Sequence, residues 1–289
     1  MKIAVIGADG QLGYDLCRVI PQAELIPLTV KELDITDRAK TVQLLKTLRP
    51  GAVINTAAYT AVDAAETDQA AAKAVNETGA QNVAEACREI DATMVQISTD
   101  YVFDGTKPVG QPYTEDDPPA PNSVYGRTKL AGEEWVKKTL RKYFIVRSAG
   151  LYGIAGCLGK GGGNFVEAII RQADRQEKPL IVDDEYVSPT YTCDLAEKLC
   201  QLLKTDRYGL YHLVNQGQCS WYVFGDKVLE LLGSELAPER IGRQELGAKA
   251  NRPANSVLAS VKLQAAGLSE LRPWPDALKA YLTEKGRIR

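Results

Sequence analysis

The chain has 289 residues, 45% hydrophobic and 25% charged, with a formal net charge of −2. That length buries a large core in one large domain, or a domain with a smaller lobe, and the near-neutral balance argues against a nucleic-acid polymer or an anionic membrane as partner. No apolar run reaches the roughly 20 residues that span a bilayer, and six dispersed cysteines with one histidine, His212, lack metal-ligand spacing, so no metal is expected.

Lys2 to Ile6 reads as a strand that the N-terminus enters directly, without a signal-peptide cleavage region, and a cytoplasmic location is expected. Gln11 to Ile20 is an amphipathic helix. Between them lies Gly7-Ala8-Asp9-Gly10-Gln11-Leu12-Gly13, with the spacing G-x-x-G-x-x-G. Glycines there let the backbone turn tightly and approach a pyrophosphate, which the helix N-terminus then faces. A glycine turn with no ligand is the competing reading. Leu25 to Leu28 is the second strand, and its end, Pro27-Leu28-Thr29, carries no carboxylate; Glu32 and Asp34 lie further along. An acid at that tip would bond the ribose hydroxyls of NAD and repel the 2′-phosphate of NADP, so the sequence leans towards NADP(H), with NAD(H) as the second option.

Ala39 to Leu48 is helical, and Gly51 to Asn55 is a third strand ending in Asn55-Thr56-Ala57-Ala58-Tyr59-Thr60, whose small residues leave room for a cofactor across the sheet edge. An alanine-rich helical stretch runs from Asp63 to about Asp91, with Gly79 as its expected interruption. Thr93 to Ile97 is a fourth strand. It delivers Ser98-Thr99-Asp100-Tyr101-Val102-Phe103-Asp104-Gly105 to a strand's carboxyl end, where open α/β sheets bind ligands. A helix from Val124 to Thr139 sets Tyr125 and Lys129 four residues apart on one face. A hydroxyl, a phenol and an ammonium at such a crevice are the parts that protonate a carbonyl oxygen while hydride reaches its carbon. Taken alone, Tyr-x-x-x-Lys also fits an amphipathic helix with a solvated lysine. Phe144 to Arg147 is a fifth strand.

Strands alternating with helices predict an α/β fold, a Rossmann-like doubly wound parallel sheet with a smaller C-terminal substrate-binding lobe. The glycine-rich run from Ala155 to Gly163 is expected to be a mobile loop over the site. Helices follow from Asn164 to Gln176 and, after Ser188-Pro189-Thr190-Tyr191-Thr192, up to Leu203. Strands follow at Leu180 to Val182 and Tyr208 to Val214, the latter with His212 as a packed or edge histidine. Trp221 to Leu232 and Pro275 to Glu284 are the last helices, flanking the polar loop Arg252-Pro253-Ala254-Asn255-Ser256. Residues 1–149 with about 188–216 form the expected nucleotide-binding domain, and about 150–187 with 217–289 the lobe.

The glycine turn, Asn55-Thr56-Ala57-Ala58-Tyr59-Thr60-Ala61-Val62-Asp63, the Ser98 to Gly105 stretch and Tyr125/Lys129, in that order, resemble the extended short-chain dehydrogenases/reductases, most closely the dTDP-4-dehydrorhamnose reductases. The likeness continues through Asn164-Phe165-Val166, Ser188-Pro189-Thr190, Tyr211-His212-Leu213-Val214-Asn215, Cys219-Ser220-Trp221-Tyr222 and Arg252-Pro253, so it spans the chain. The resemblance implies NAD(P)H-dependent reduction of the 4-keto group of dTDP-4-dehydro-L-rhamnose to dTDP-L-rhamnose, with a homodimer admitted; another nucleotide-sugar reductase, an epimerase or dehydratase of the same fold, or a non-catalytic regulatory subunit are the alternatives. By it, Gly7, Gly10, Gln11, Leu12 and Gly13 hold the pyrophosphate, Asp34 and Ile35 the adenosine, and Ala57, Ala58 and Tyr59 the nicotinamide side. Tyr125 is the general acid. Lys129 binds the nicotinamide ribose and lowers the phenol pKa, and Thr99 bonds the keto oxygen. Asp100, Tyr101, Gly150 and Asn164 contact the sugar, and Arg252 meets the diphosphate. Where the family places a tryptophan against the sugar, this chain has Gly150, with Tyr152 or the glycine-rich loop as candidate replacements.

Overall fold

The computed structural model describes residues 1–157 and 161–289. Five strands open its central sheet: β1 (Ile3–Ile6), β2 (Leu25–Leu28), β3 (Ala52–Asn55), β4 (Thr93–Thr99) and β5 (Tyr143–Ser148). Three short pairs stand apart from it: β6 (Leu151–Tyr152) with β9 (Thr190–Tyr191), β7 (Leu180–Val182) with β12 (Glu239–Ile241), and β8 (Tyr186–Val187) antiparallel with β11 (Cys219–Ser220). The late strand β10 (Gly209–His212) returns to the sheet's edge, giving the order β10-β5-β4-β3-β1-β2 with every neighbour parallel. The order reverses between β1 and β3, and the crevice outside their carboxyl ends is where such sheets take ligands.

The strands are mostly apolar, with polar residues gathered towards their carboxyl ends, because both faces are covered. Their period of two sends Ile3, Val5, Ile54, Val95 and Phe144 to one face, against Leu12 and Leu16 of α1 (Gln11–Val19) and against Leu195 and Leu199 of a late helix. Ala4, Ile6, Val53, Met94 and Ile145 go to the other. There they meet α2 (Arg38–Leu48), α5 (Ala80–Glu89) and α6 (Val124–Thr139). The stretch expected as one helix broken at Gly79 breaks earlier. It forms α3 (Val62–Ala65) and α4 (Gln69–Lys73), with Asp68 accepting from the Ala71 amide at 3.1 Å. A π-helical turn, Ala74–Gly79, then carries the backbone into α5 without a break. Gly79 lets that turn approach Ile35, since a Cβ there would lie 2.6 Å from the isoleucine side chain.

Beyond β5 come α7 (Phe165–Asp174), α8 (Thr192–Leu202), α9 (Trp221–Leu231), α10 (Lys262–Ala265) and α11 (Trp274–Glu284). A separate apolar cluster joins α7, α9 and α11 through Ile169, Phe224, Leu278 and Tyr281. Leu263 and Leu271 instead join the cluster under the sheet. Of the expected loop over the site, residues 158–160 lie outside the described residues.

Candidate active site

The glycine turn wraps the end of β1. Gly7 has φ 81°, its amide donates to the Leu28 carbonyl at 2.8 Å, and Gly10 donates back to the Gly7 carbonyl at 2.9 Å. A Cβ on Gly13 would lie 2.0 Å from the Gly7 carbonyl oxygen, so only glycine lets α1 come this close. Gly10 caps α1 with no side-chain hydrogen bond, leaving first-turn amides directed at the crevice. The buried Gln11 Oε1 also lacks a partner. Across the crevice the Thr56 hydroxyl donates to the Ile6 carbonyl at 2.8 Å, tying β3 to the turn.

A cleft of about 520 Å³ runs from here along the strand ends. Gly7, Gly10, Gln11, Leu12, Asp34, Ile35, Ala57, Ala58 and Tyr59 line it, whereas Gly13 lies behind it. The tip of β2 differs from its sequence reading. Glu32 folds back and accepts from the Thr29 amide at 2.9 Å and hydroxyl at 2.5 Å, so a carboxylate does stand at the tip. It is absent from the cleft wall, however, and the Asp34 carboxylate is engaged by the Thr36 amide and hydroxyl. Asn76, which sequence reasoning passed over, grips the Tyr59 backbone from both sides (2.9 and 3.2 Å) and donates to the Thr128 hydroxyl at 3.2 Å, locking the 57–60 loop to α6.

β4 runs two residues further than expected, so Ser98 and Thr99 end it as strand residues. The Thr99 hydroxyl donates to Asp100 Oδ1 at 2.9 Å and accepts from the Tyr101 amide at 3.2 Å. Tyr101 stands edge-on to Tyr125, with ring centroids 5.6 Å apart. α6 begins at the Ser123 cap, whose hydroxyl accepts from the Gly126 amide at 3.1 Å, and brings Tyr125 and Lys129 into the cleft beside Thr99. Lys129 is buried and donates to the Ile97 carbonyl at 2.7 Å. Burial pulls its pKa down to about 8 against the pull of Glu133. Burial pushes the Tyr125 phenol well above its ordinary value, with the neighbouring Thr99 hydroxyl acting the other way.

One turn beyond Lys129, the fully buried Glu133 accepts from the Ser98 hydroxyl at 2.5 Å and from Arg147 Nε and Nη2 at 2.9 and 2.7 Å. This bidentate pair, with the Ser98 bond, fastens α6 to β5 and β4 beneath Tyr125 and Lys129. His212 is packed away from the cleft. Its Nδ1 is 3.2 Å from the Tyr113 and Ala259 carbonyls, and burial, with Arg147 nearby, pulls its pKa down to about 3.

At the far end, Arg252 Nη2 donates to Asp63 Oδ2 at 2.7 Å, while Asp63 also accepts from the Lys249 and Ala250 amides at 3.1 and 3.0 Å. The Arg252 Nε is buried without a partner. Gly150 lines the cleft at φ 54°, and a Cβ there would lie 3.1 Å from Val187 and Pro189. Tyr152 does not replace the missing tryptophan; it is buried in the apolar cluster of α7, α9 and α11. Trp221 and Phe165, with centroids 4.7 Å apart, line the cleft instead. Asn164 lines it too, but its amide serves α7, accepting from the Glu167 amide at 3.0 Å and donating to the Gly153 carbonyl at 3.1 Å. Among the described residues no group of three or more His, Cys, Asp or Glu side chains is placed to hold a metal, and no helix is long and apolar enough to cross a membrane.

The family described as RmlD substrate binding domain matches residues 1–286. The chain is 41% identical over 283 residues to a dTDP-4-dehydrorhamnose reductase of Streptomyces griseus, covering 95% of this chain and 90% of that one. It is 40% identical over 286 residues to the spore coat polysaccharide biosynthesis protein SpsK of Bacillus subtilis, covering 98% of each. The crystal structure of a dTDP-4-dehydrorhamnose reductase from Bacillus anthracis in complex with NADP superposes with a TM-score of 0.93 at 38% identity, covering 98% of this chain and all of that one.

Proposed function

The chain belongs to the RmlD family, the dTDP-4-dehydrorhamnose reductases, and from that premise we propose that it reduces the 4-keto group of dTDP-4-dehydro-L-rhamnose to give dTDP-L-rhamnose, using NADPH. The observation that carries this reading is one cleft holding both the glycine turn and Thr99, Tyr125 and Lys129. The turn suits a dinucleotide: first-turn amides of α1 face the crevice, Gly13 lets the helix close in, and Gln11 Oε1 awaits a donor. Glu32, held by Thr29, is not part of the cleft wall, which favours a 2′-phosphate near the β2 tip.

NADPH, when bound, supplies the hydride that C4 of the sugar receives. Tyr125 gives its phenolic proton to O4, and the raised phenol pKa keeps that proton in place until the oxygen becomes basic. The Thr99 hydroxyl, turned from Asp100 to the substrate, donates its one proton to the carbonyl oxygen, and water reprotonates the phenolate left behind. Lys129 spends one of its three donors on Ile97 and keeps the others for the ribose hydroxyls. Arg252, steadied by Asp63, meets the diphosphate in a fork. We assign residues 1–149 with about 188–216 to cofactor binding and the remainder to the sugar nucleotide.

Purified protein given NADPH and dTDP-4-dehydro-L-rhamnose should consume the two in equal amounts and yield dTDP-L-rhamnose by NMR. An inert mixture, or a product of the other configuration at C4, overturns the assignment.

A further inference from the structure

Glu185 is a cleft-lining carboxylate that the sequence does not single out. It is 5% exposed, and among the described residues no donor hydrogen-bonds its oxygens. Its backbone is fixed from two sides. The Glu185 carbonyl accepts from the Trp221 amide at 3.2 Å, and the next residue, Tyr186, donates to the Ala254 carbonyl at 2.8 Å and accepts from the Ser256 amide at 2.9 Å. The cation acting on it most strongly, Arg252, already points a guanidinium nitrogen at Asp63. A carboxylate largely withdrawn from water that opens onto a cleft without protein donors is placed to take them from a ligand.

The ligand's chemistry follows from where Glu185 lies. A diphosphate offers acceptors only, and belongs to Arg252. On its other side Glu185 leads through Tyr186 to Val187, whose side chain abuts Gly150, and its charge acts on Tyr101, the ring beside Tyr125. The carboxylate therefore lines the same cleft as Gly150 and Tyr101, where the hexose is expected, and an anionic acceptor calls for neutral hydroxyl donors.

We propose that Glu185 is a sugar-recognition residue, its carboxylate accepting hydrogen bonds from the hexose hydroxyls on C2 and C3 and so selecting hydroxylated over deoxygenated 4-keto sugars. The inference rests on the reductase reading above. Calorimetry with NADP-saturated protein tests it, using dTDP-L-rhamnose and dTDP as probes. Glu185→Ala should weaken dTDP-L-rhamnose at least about tenfold while dTDP stays within about twofold, since a site built for hydroxyls penalises their loss. Glu185→Gln keeps an acceptor and should stay within about threefold of wild type for both. Unchanged sugar-nucleotide affinity in Glu185→Ala, or an equal loss for both probes, overturns the proposal. Wild-type protein provides a check that needs no substitution: 2-deoxy-dTDP-L-rhamnose should bind at least about fivefold more weakly than dTDP-L-rhamnose, and equal affinities also overturn it. Wild-type protein that binds neither dTDP nor its sugars overturns the reductase reading itself, an outcome distinct from a failure at Glu185.

Discussion

Tyr125 and Lys129 share one helical face but face opposite electrostatic demands. Burial raises the phenol's pKa and lowers the ammonium's to about 8, so each is pushed towards its neutral form. A neutral phenol suits an acid, whereas a neutral amine keeps two of its three donors and loses the charge proposed to favour the ribose contact. Tyr125→Phe should therefore lower kcat by about 10²–10⁴ with NADPH affinity within a few-fold, because only the proton donor is lost. More than half the wild-type kcat would remove Tyr125 from the chemistry. For Lys129 the sign is worked from its lowered pKa: the charged form persists below about pH 8 and is lost above it. The kcat/KM for NADPH should thus be flat below that pH and fall about tenfold per unit above it. Lys129→Met should impair turnover and cofactor binding together at every pH; normal cofactor affinity in that variant counts against the ribose contact.

Helix α6 sets both residues, and its own seating depends on close contacts. A Cβ on Gly126 would lie 2.1 Å from the Tyr101 carbonyl oxygen, so Gly126→Ala must push α6 away from the Thr99-Asp100-Tyr101 turn. Turnover should fall by at least about tenfold, since small misplacements of reacting groups are costly. NADPH affinity, set mainly at α1, should change less, and an unaltered kcat would mean the helix tolerates the shift. The same helix is pinned lower down by Glu133 and Arg147, both buried. Arg147→Met leaves the Glu133 carboxylate unpaired and should cost about 3–5 kcal/mol in urea unfolding. A loss below about 1 kcal/mol would mean that Ser98 and Lys137, at 3.9 Å, satisfy the carboxylate without Arg147.

Across the whole molecule, the cleft is closed by a contact between distant parts of the chain. Asp63 follows the loop after β3, and Arg252 comes from the last part of the chain. Hydrogen bonds from Ala250 and Arg252 hold the Asp63 carboxyl below the usual range despite its partial burial. Asp63→Asn removes the charge that steadies the guanidinium. It should raise KM for the sugar nucleotide several-fold and leave the Kd for NADPH unchanged, measured by steady-state kinetics and fluorescence titration. Equal weakening of both ligands would assign Asp63 to general stability instead.

Along the chain, the sequence by itself determined what is local. Short continuous apolar runs marked the five early sheet strands, and the N-terminal glycines marked the turn after β1. The four-residue spacing of Tyr125 and Lys129 put both on one helix face. Backbone geometry sets each of these within a few residues, so composition and spacing carry it. The tertiary structure alone decided the rest. It seats Arg252 on Asp63 across 189 positions and Arg147 on Glu133, and it turns Trp221 and Glu185 into the cleft. It also brings Glu32 back to the β2 tip, buries Tyr152 away from the site, and makes Gly79 a packing position in place of a helix break. Such contacts depend on how separate elements pack, and residues far apart in the chain leave no periodic trace of the neighbours that folding gives them.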